Sequence, residues 1–144
     1  MNAQRLVIPA LPLVLLLAAG SALAGELTVG SAWARATAPA AGVGAVYLRI
    51  ENGSPQPDRL LRLTTAVAAS AGVHRTEIVD DIARMREVAA LQVAPGAKIE
   101  FAPGGLHIML MGLRKPLVVG QEFELEMLFE VSGLRRVVVT VRDH

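Results

Sequence analysis

Four side chains in this sequence could hold a soft metal ion: His74, Met85, His107 and Met109. They stand out by scarcity, because the 144 residues contain only three histidines and five methionines. The stretch Gly104 to Met111, GGLHIMLM, places one of those histidines beside two of the methionines. In an extended strand, Leu106, Ile108 and Leu110 share one face and His107, Met109 and Met111 the other. The branched aliphatic face is the natural core face, so the imidazole and thioethers are expected to look outward. A plain structural reading also stands, since methionine fills irregular gaps in cores and a short strand can bury both faces. Met127 is read that way, in register with Phe123, Leu125 and Phe129.

The remaining internal histidine and unassigned methionine, His74 and Met85, lie in GVHRTEIVDDIARMREV. Ten residues separate them, a gap that suits two neighbouring strand segments joined through an Asp80-Asp81 turn. His107 and Met109 project from one face about 7 Å apart. Four donors suffice to close a tetrahedral site. Imidazole and thioether suit soft copper, whereas Mg²⁺ and Ca²⁺ require oxygen ligands. A competing arrangement is a zinc hydrolase built on His74, Glu77 and His107 with one position open to water; it leaves both methionines unexplained. A metal-independent β-sandwich interaction module is the third reading.

The elements that must position these residues are short. Turn residues recur along the chain, and the intervening runs alternate: in QEFELEMLFEV, Phe123, Leu125, Met127, Phe129 and Val131 face one way and the glutamates the other. GLRRVVVTVRDH, AVYLRIEN, KIEF and RLLRLTTAV supply further strands. No long helical periodicity is present. Seven to nine short strands at this spacing predict an all-β antiparallel Greek-key sandwich or barrel. NGSPQPD reads as an irregular connecting loop, and Trp33 and Tyr47 as core or barrel-end residues. Gly42-x-Gly44 precedes a strand, so it is not a phosphate-binding loop.

Bulk properties limit the function classes. Residues 1–24 carry one charge, Arg5, then the apolar run Leu6 to Ala19 and the small-x-small sequence Ala22-Leu23-Ala24. That pattern predicts a secretory signal peptide cleaved after Ala24, too short in its apolar part to span a bilayer. Residues 25–144 then form one domain, with no stable membrane insertion expected. Without Arg5, thirteen basic residues face thirteen acidic ones, which gives no electrostatic reason to expect nucleic acid. Cysteine is absent, excluding a thiol nucleophile, thiolate ligands, a blue-copper centre and a cysteine-borne lipid anchor.

The pattern H-x10-M-x21-H-x-M, with AWARATAP at 32–39, GAVYLRIEN at 44–52, MREV at 85–88 and GGLHIMLMGLRKPL at 104–117, resembles the periplasmic copper chaperones of the PCuAC family. The likeness runs from about Ala32 to Val141. It implies a cupredoxin-like β-barrel that is not an enzyme. It also implies one Cu(I) per chain held by His74, Met85, His107 and Met109, and a periplasmic location. Met111 fits the continuation of the motif without being a ligand. The partners it implies are copper acceptors, cytochrome c oxidase subunit II during CuA assembly and a Sco-like protein. A monomer is expected. Thioethers suit this role outside the cytoplasm, where thiolates would risk oxidation to disulfide. Arg75, Arg84, Arg86, Arg114 and Lys115, close in sequence to the four donors, are candidates for a docking rim toward an acidic partner.

Overall fold

The structure is a computed structural model that describes residues 25–143; the expected signal peptide, residues 1–24, lies outside the described residues. Every regular element among them is a strand. In chain order these are β1 (Leu27–Val29), β2 (Ala32–Arg35), β3 (Val43–Tyr47), β4 (Arg49–Asn52), β5 (Asp58–Thr65), β6 (Ala68–Val79), β7 (Ile82–Glu87), β8 (Leu91–Val93), β9 (Lys98–Glu100), β10 (Leu106–Leu113), β11 (Glu122–Phe129) and β12 (Gly133–Arg142).

Seven strands close a barrel in the order β6-β10-β3-β2-β12-β11-β5, and the ring is completed where β5 meets β6 at Leu63 and Ala71. Closure removes the exposed edges of an open sheet. The pairings are antiparallel except β12 with β2, which run parallel. That departure from the purely antiparallel expectation joins strands from opposite ends of the domain. Alternation explains the core: Phe123, Leu125, Met127 and Phe129 of β11 point inward with Val139 and Val141 of β12, and Ile108 and Leu110 of β10 meet them as fully buried side chains. Met127 is core, as expected. Val131 is not; it lies beyond the end of β11 and is exposed.

AVYLRIEN forms two strands rather than one. The break at Leu48 lets β3 stay in the barrel while β4 joins β1 and β9 in a separate three-stranded sheet. The loop that follows is tied down by buried Asn52, whose side-chain amide donates to the carbonyls of Gln56 and Val93 and whose oxygen accepts from the Ser54 amide. At the far end of the same loop, buried Asp58, register partner of Val93, accepts hydrogen bonds from the amides of Arg59, Val131 and Ser132 and from the Ser132 hydroxyl.

β6 is the strand that matters for the site, because it changes partners along its length. At Ala71 its free edge bonds β5; from His74 to Val79 it bonds β7 instead. The β6–β7 hairpin thus runs past the end of the barrel as a two-stranded arm, and all of β7 is exposed. Its two-residue turn is Asp80-Asp81, both with positive φ (52° and 61°), the backbone sign that a type I′ hairpin requires.

Candidate metal centre

Strand parity brings the four donors to one face. His74 and His107 are register partners across the β6–β10 pair, so their side chains leave the sheet on the same side, and their ring centroids are 6.0 Å apart. Met109, two residues beyond His107, shares that side and stands opposite Gly72 of β6 and Ala45 of β3. Met85 reaches it from β7, opposite Thr76. The expected hairpin through Asp80-Asp81 is the device that delivers it. Three adjacent strands therefore present two imidazoles and two thioethers to one surface, outside the barrel wall and at the end where the arm begins.

Exposure separates the donors. Met85 is 61% exposed, while His107 is only 8% exposed. The expectation that His107 looks freely outward is thus corrected: it points away from the barrel core, as parity demands, but into a groove of about 400 Å³ lined also by Met85, Met109, Tyr47, Pro103 and Arg35. Its Nδ1 lies 3.1 Å from the Gly105 carbonyl, a partner that fixes the ring and leaves the other nitrogen for a ligand. The Nε2 atom of His74 is buried with no hydrogen-bond partner. Leaving a buried polar atom unsatisfied costs about 1–3 kcal/mol. His74 Nε2 borders Gly72 beside Glu87, while the groove holds His107, Met85 and Met109; a buried, unsatisfied imidazole nitrogen on the same sheet face as a second imidazole and two thioethers has the chemistry to bind a soft ion. Met111 continues the same face, half-buried beside Val43.

The zinc arrangement does not assemble. Glu77 is an odd number of residues from His74, so it projects from the other face of β6, where its carboxylate lies 3.5 Å from Arg86. Among the described residues no three histidine or carboxylate side chains converge on a point. The docking rim also needs revision. Arg75, Arg84 and Arg86 occupy that reverse face of the arm, and Arg114 donates to the Ala66 carbonyl at the far end of β10.

Five residues on or beside the donor face were not tied to the site by the sequence reading: Glu87, Arg35 and Arg142 went unremarked, and Trp33 and Tyr47 were read as core or barrel-end residues. Glu87 stands opposite His74; a Cβ placed on Gly72 would lie 3.7 Å from its carboxylate and 3.6 Å from His74 Nε2, so both atoms border the space above that glycine. Tyr47 lines the groove and stacks on Trp33, centroids 4.6 Å apart. Trp33 is therefore an outer-face residue of β2, half-buried rather than core. Arg35 lines the groove, and Arg142 lies over the Trp33 ring at 5.9 Å. The signal that could have found them was parity on β2 and β12, but it needed the pairing of those strands, which no local pattern gives.

Comparison with known proteins adds family and fold. Residues 27–141 match the family model described as "Putative lipoprotein LpqE-like". A protein of Leifsonia xyli subsp. xyli named "Putative lipoprotein Lxx21020" is 30% identical over 121 residues, 83% of this chain and 72% of that one. Among solved structures, the Cu(I) form of DR1885 from Deinococcus radiodurans is 29% identical with a TM-score of 0.71, covering 87% of this chain and 84% of that one. The apo PCuAC domain of PmoF1 is 27% identical with a TM-score of 0.70, covering 84% and 97%. The copper-bound PCuAC domain of PmoF2, at 24% identity and a TM-score of 0.71 over 84% and 96%, bears on the fold alone. The chain belongs to the LpqE-like family and has the cupredoxin-like barrel of the PCuAC domains.

Proposed function

We propose that this protein is an extracytoplasmic copper carrier that holds one Cu(I) on His74, Met85, His107 and Met109 and surrenders it to an acceptor. The observation that carries the reading is the register: His74 faces His107 across β6 and β10, with Met109 and Met85 on the same surface of adjoining strands. Two neutral imidazoles and two thioethers select a soft ion over Ca²⁺ or Mg²⁺. They carry no charge to strengthen the hold, which suits an ion that must be passed on. The Cu(I) form of DR1885, 29% identical to this chain, supports the choice of metal. Exposed Met85 is the natural first ligand for an acceptor to displace, so transfer runs through a complex in which donor and acceptor ligands share the ion.

The destination we propose is the CuA centre of cytochrome c oxidase, through subunit II or a Sco-like protein. The location is the periplasm, reached by cleavage after Ala24. Nothing in the site calls for catalysis.

The test is an anaerobic Cu(I) titration of residues 25–144 against a chromophoric chelator, beside the Met85→Leu/Met109→Leu variant. One tight equivalent lost in the variant is the expected result. No competition by either protein would remove copper from the reading and leave an interaction module. Protein sequencing of the exported form checks the cleavage point.

A further inference from the structure

Ion pairing is distributed unevenly over this molecule. Arg49 lies near Glu51 and Glu100, Lys98 near Glu51, Arg59 against Glu130, and Arg136 between Glu124 and Glu126. The Arg49, Glu51 and Glu100 cluster lines, with Trp33 and Arg142, a groove of about 500 Å³ beside the donor face, and the other pairs lie away from that face. On that face the pattern reverses. Arg35 and Arg142 are register partners on β2 and β12, so two guanidinium groups leave the same side of adjacent strands with like charges side by side, an arrangement that repels. Among the described residues, neither has a carboxylate within ion-pair distance. Arg35 borders the metal groove itself, and Arg142 is held over Trp33, which stacks on Tyr47 of the same groove.

Apolar surface flanks this cationic pair. Val43 at the groove, and Ile78 and Met85 on the arm, are exposed large hydrophobic residues, and parity puts all three on the donor side. The groove, about 400 Å³, is far larger than an ion needs. Exposed apolar groups beside unpaired cations are the composition of a protein interface, apolar at its centre and charged at its edge.

We infer that Arg35 and Arg142, with the groove edged by Val43, Ile78 and Met85, form the docking surface for an acidic partner, a segment that carries carboxylates beside its own soft metal donors. The inference rests on the carrier reading for what the partner receives, and on charge and shape for its chemistry. Balanced over the exported chain, basic and acidic residues cancel, so attraction comes from their placement and not from net charge. The arginines set the approach; Met85 is what the partner meets. The partner's carboxylates satisfy the two cations whose repulsion the free protein tolerates.

Trp33 is the only tryptophan and lies under Arg142, so its fluorescence reads occupancy without any metal. The apo protein is titrated with a short peptide of alternating methionine and acidic residues, and with its counterpart in which glutamine and asparagine replace the acids. Expected are a saturable Trp33 response to the acidic peptide, weakened on raising salt from ~0.02 to ~0.5 M, and binding weaker by about fivefold or more in Arg35→Gln/Arg142→Gln. The Arg35→Lys/Arg142→Lys variant keeps the response. Equal binding of both peptides, or an unaltered glutamine variant, overturns the inference, as does failure of the lysines to restore binding to a folded protein. The two readings fail separately: a wild type that binds the acidic peptide but not Cu(I) refutes the carrier, and one that binds Cu(I) but ignores the peptide refutes the docking surface.

Discussion

Two flanks of one barrel are built from the same kind of alternating strand and spend their side chains differently. On the β5–β11–β12 flank most side chains have an obvious use: Met127, Leu125 and Phe129 fill the core, and Arg136 and Arg59 bond Glu126 and Glu130 at 2.9 and 2.7 Å, although the Arg135 Nε atom is buried without a hydrogen-bond partner. On the β7–β6–β10 flank capacity is left over. His74 has an unsatisfied nitrogen, Met85 is exposed, and two arginines nearby lack carboxylates. Function is read from that surplus, because a fold optimised for stability alone would have no reason to keep it.

The contrast can be broken most forcefully at the metal. Replacing Met85 and Met109 by leucine removes half the donor set while conserving volume, so Cu(I) affinity should fall by more than the ~100-fold that outer-shell changes cost, with thermal unfolding little altered. Met127→Leu is the matched control: the same chemistry deleted from the quiet flank should leave copper affinity unchanged and cost under about 1.5 kcal/mol in denaturant titration.

Stability effects come next, and they belong to the scaffold. Burial pushes the Asp58 carboxyl upward, but hydrogen bonds from the Ser132 hydroxyl and the Val131, Arg59 and Ser132 amides outweigh it and hold the group below its ordinary value. A carboxyl depressed in the folded state contributes stability that is present above its unfolded value and lost as pH falls through the folded one. Asp58→Asn should therefore cost about 1–3 kcal/mol at neutral pH and flatten the acid limb of the unfolding curve. Copper affinity should not follow it.

Of the same order is Gly112→Ala. Gly112 has φ of +64°, and a Cβ there would lie 2.9 Å from that of Ala69, so the substitution strains β10 below the site by about 1–3 kcal/mol. Smallest of all is Arg136→Gln, which opens an exposed, solvent-screened pair to Glu126 and should leave the unfolding midpoint almost unchanged. If either shifts copper affinity as strongly as the methionine pair does, the two flanks are not independent.

Much of this was legible in the sequence because strand periodicity is local. The faces of β10, β11 and β12 follow from alternation, and so does the separation of His107 and Met109 from Ile108 and Leu110. The Asp80-Asp81 turn was legible too, and with it the delivery of Met85. What escaped is non-local. The partition of GAVYLRIEN between two sheets depends on which strands β3 and β4 find, and the burial of His107 depends on the groove around it. Arg35 and Arg142 meet only because β2 pairs with β12, residues more than a hundred positions apart. The arginines nearest in sequence to the donors, Arg75, Arg84 and Arg86, are on the wrong side for the same reason: proximity along a strand says nothing about face until parity is counted.

The change of partner along β6 has a mechanical meaning. Up to Arg75 the strand is part of the wall, with His74 and Arg75 against His107 and Leu106 of β10 and the Thr76 amide on the Gly105 carbonyl; beyond that, β6 and β7 hold only each other, with β7 tied at its base by the Val88 amide on the Val73 carbonyl. Bending there moves Met85 while the barrel stays shut, and His107 and Met109 remain with it. Met85 rides on a lever with its fulcrum at the barrel rim, so under the proposed carrier function one donor swings away while the others stay on the wall. Amides of Ile82 to Glu87 should accordingly exchange with solvent long before those of β10, and a strap that stiffened the arm would slow release without deepening the hold.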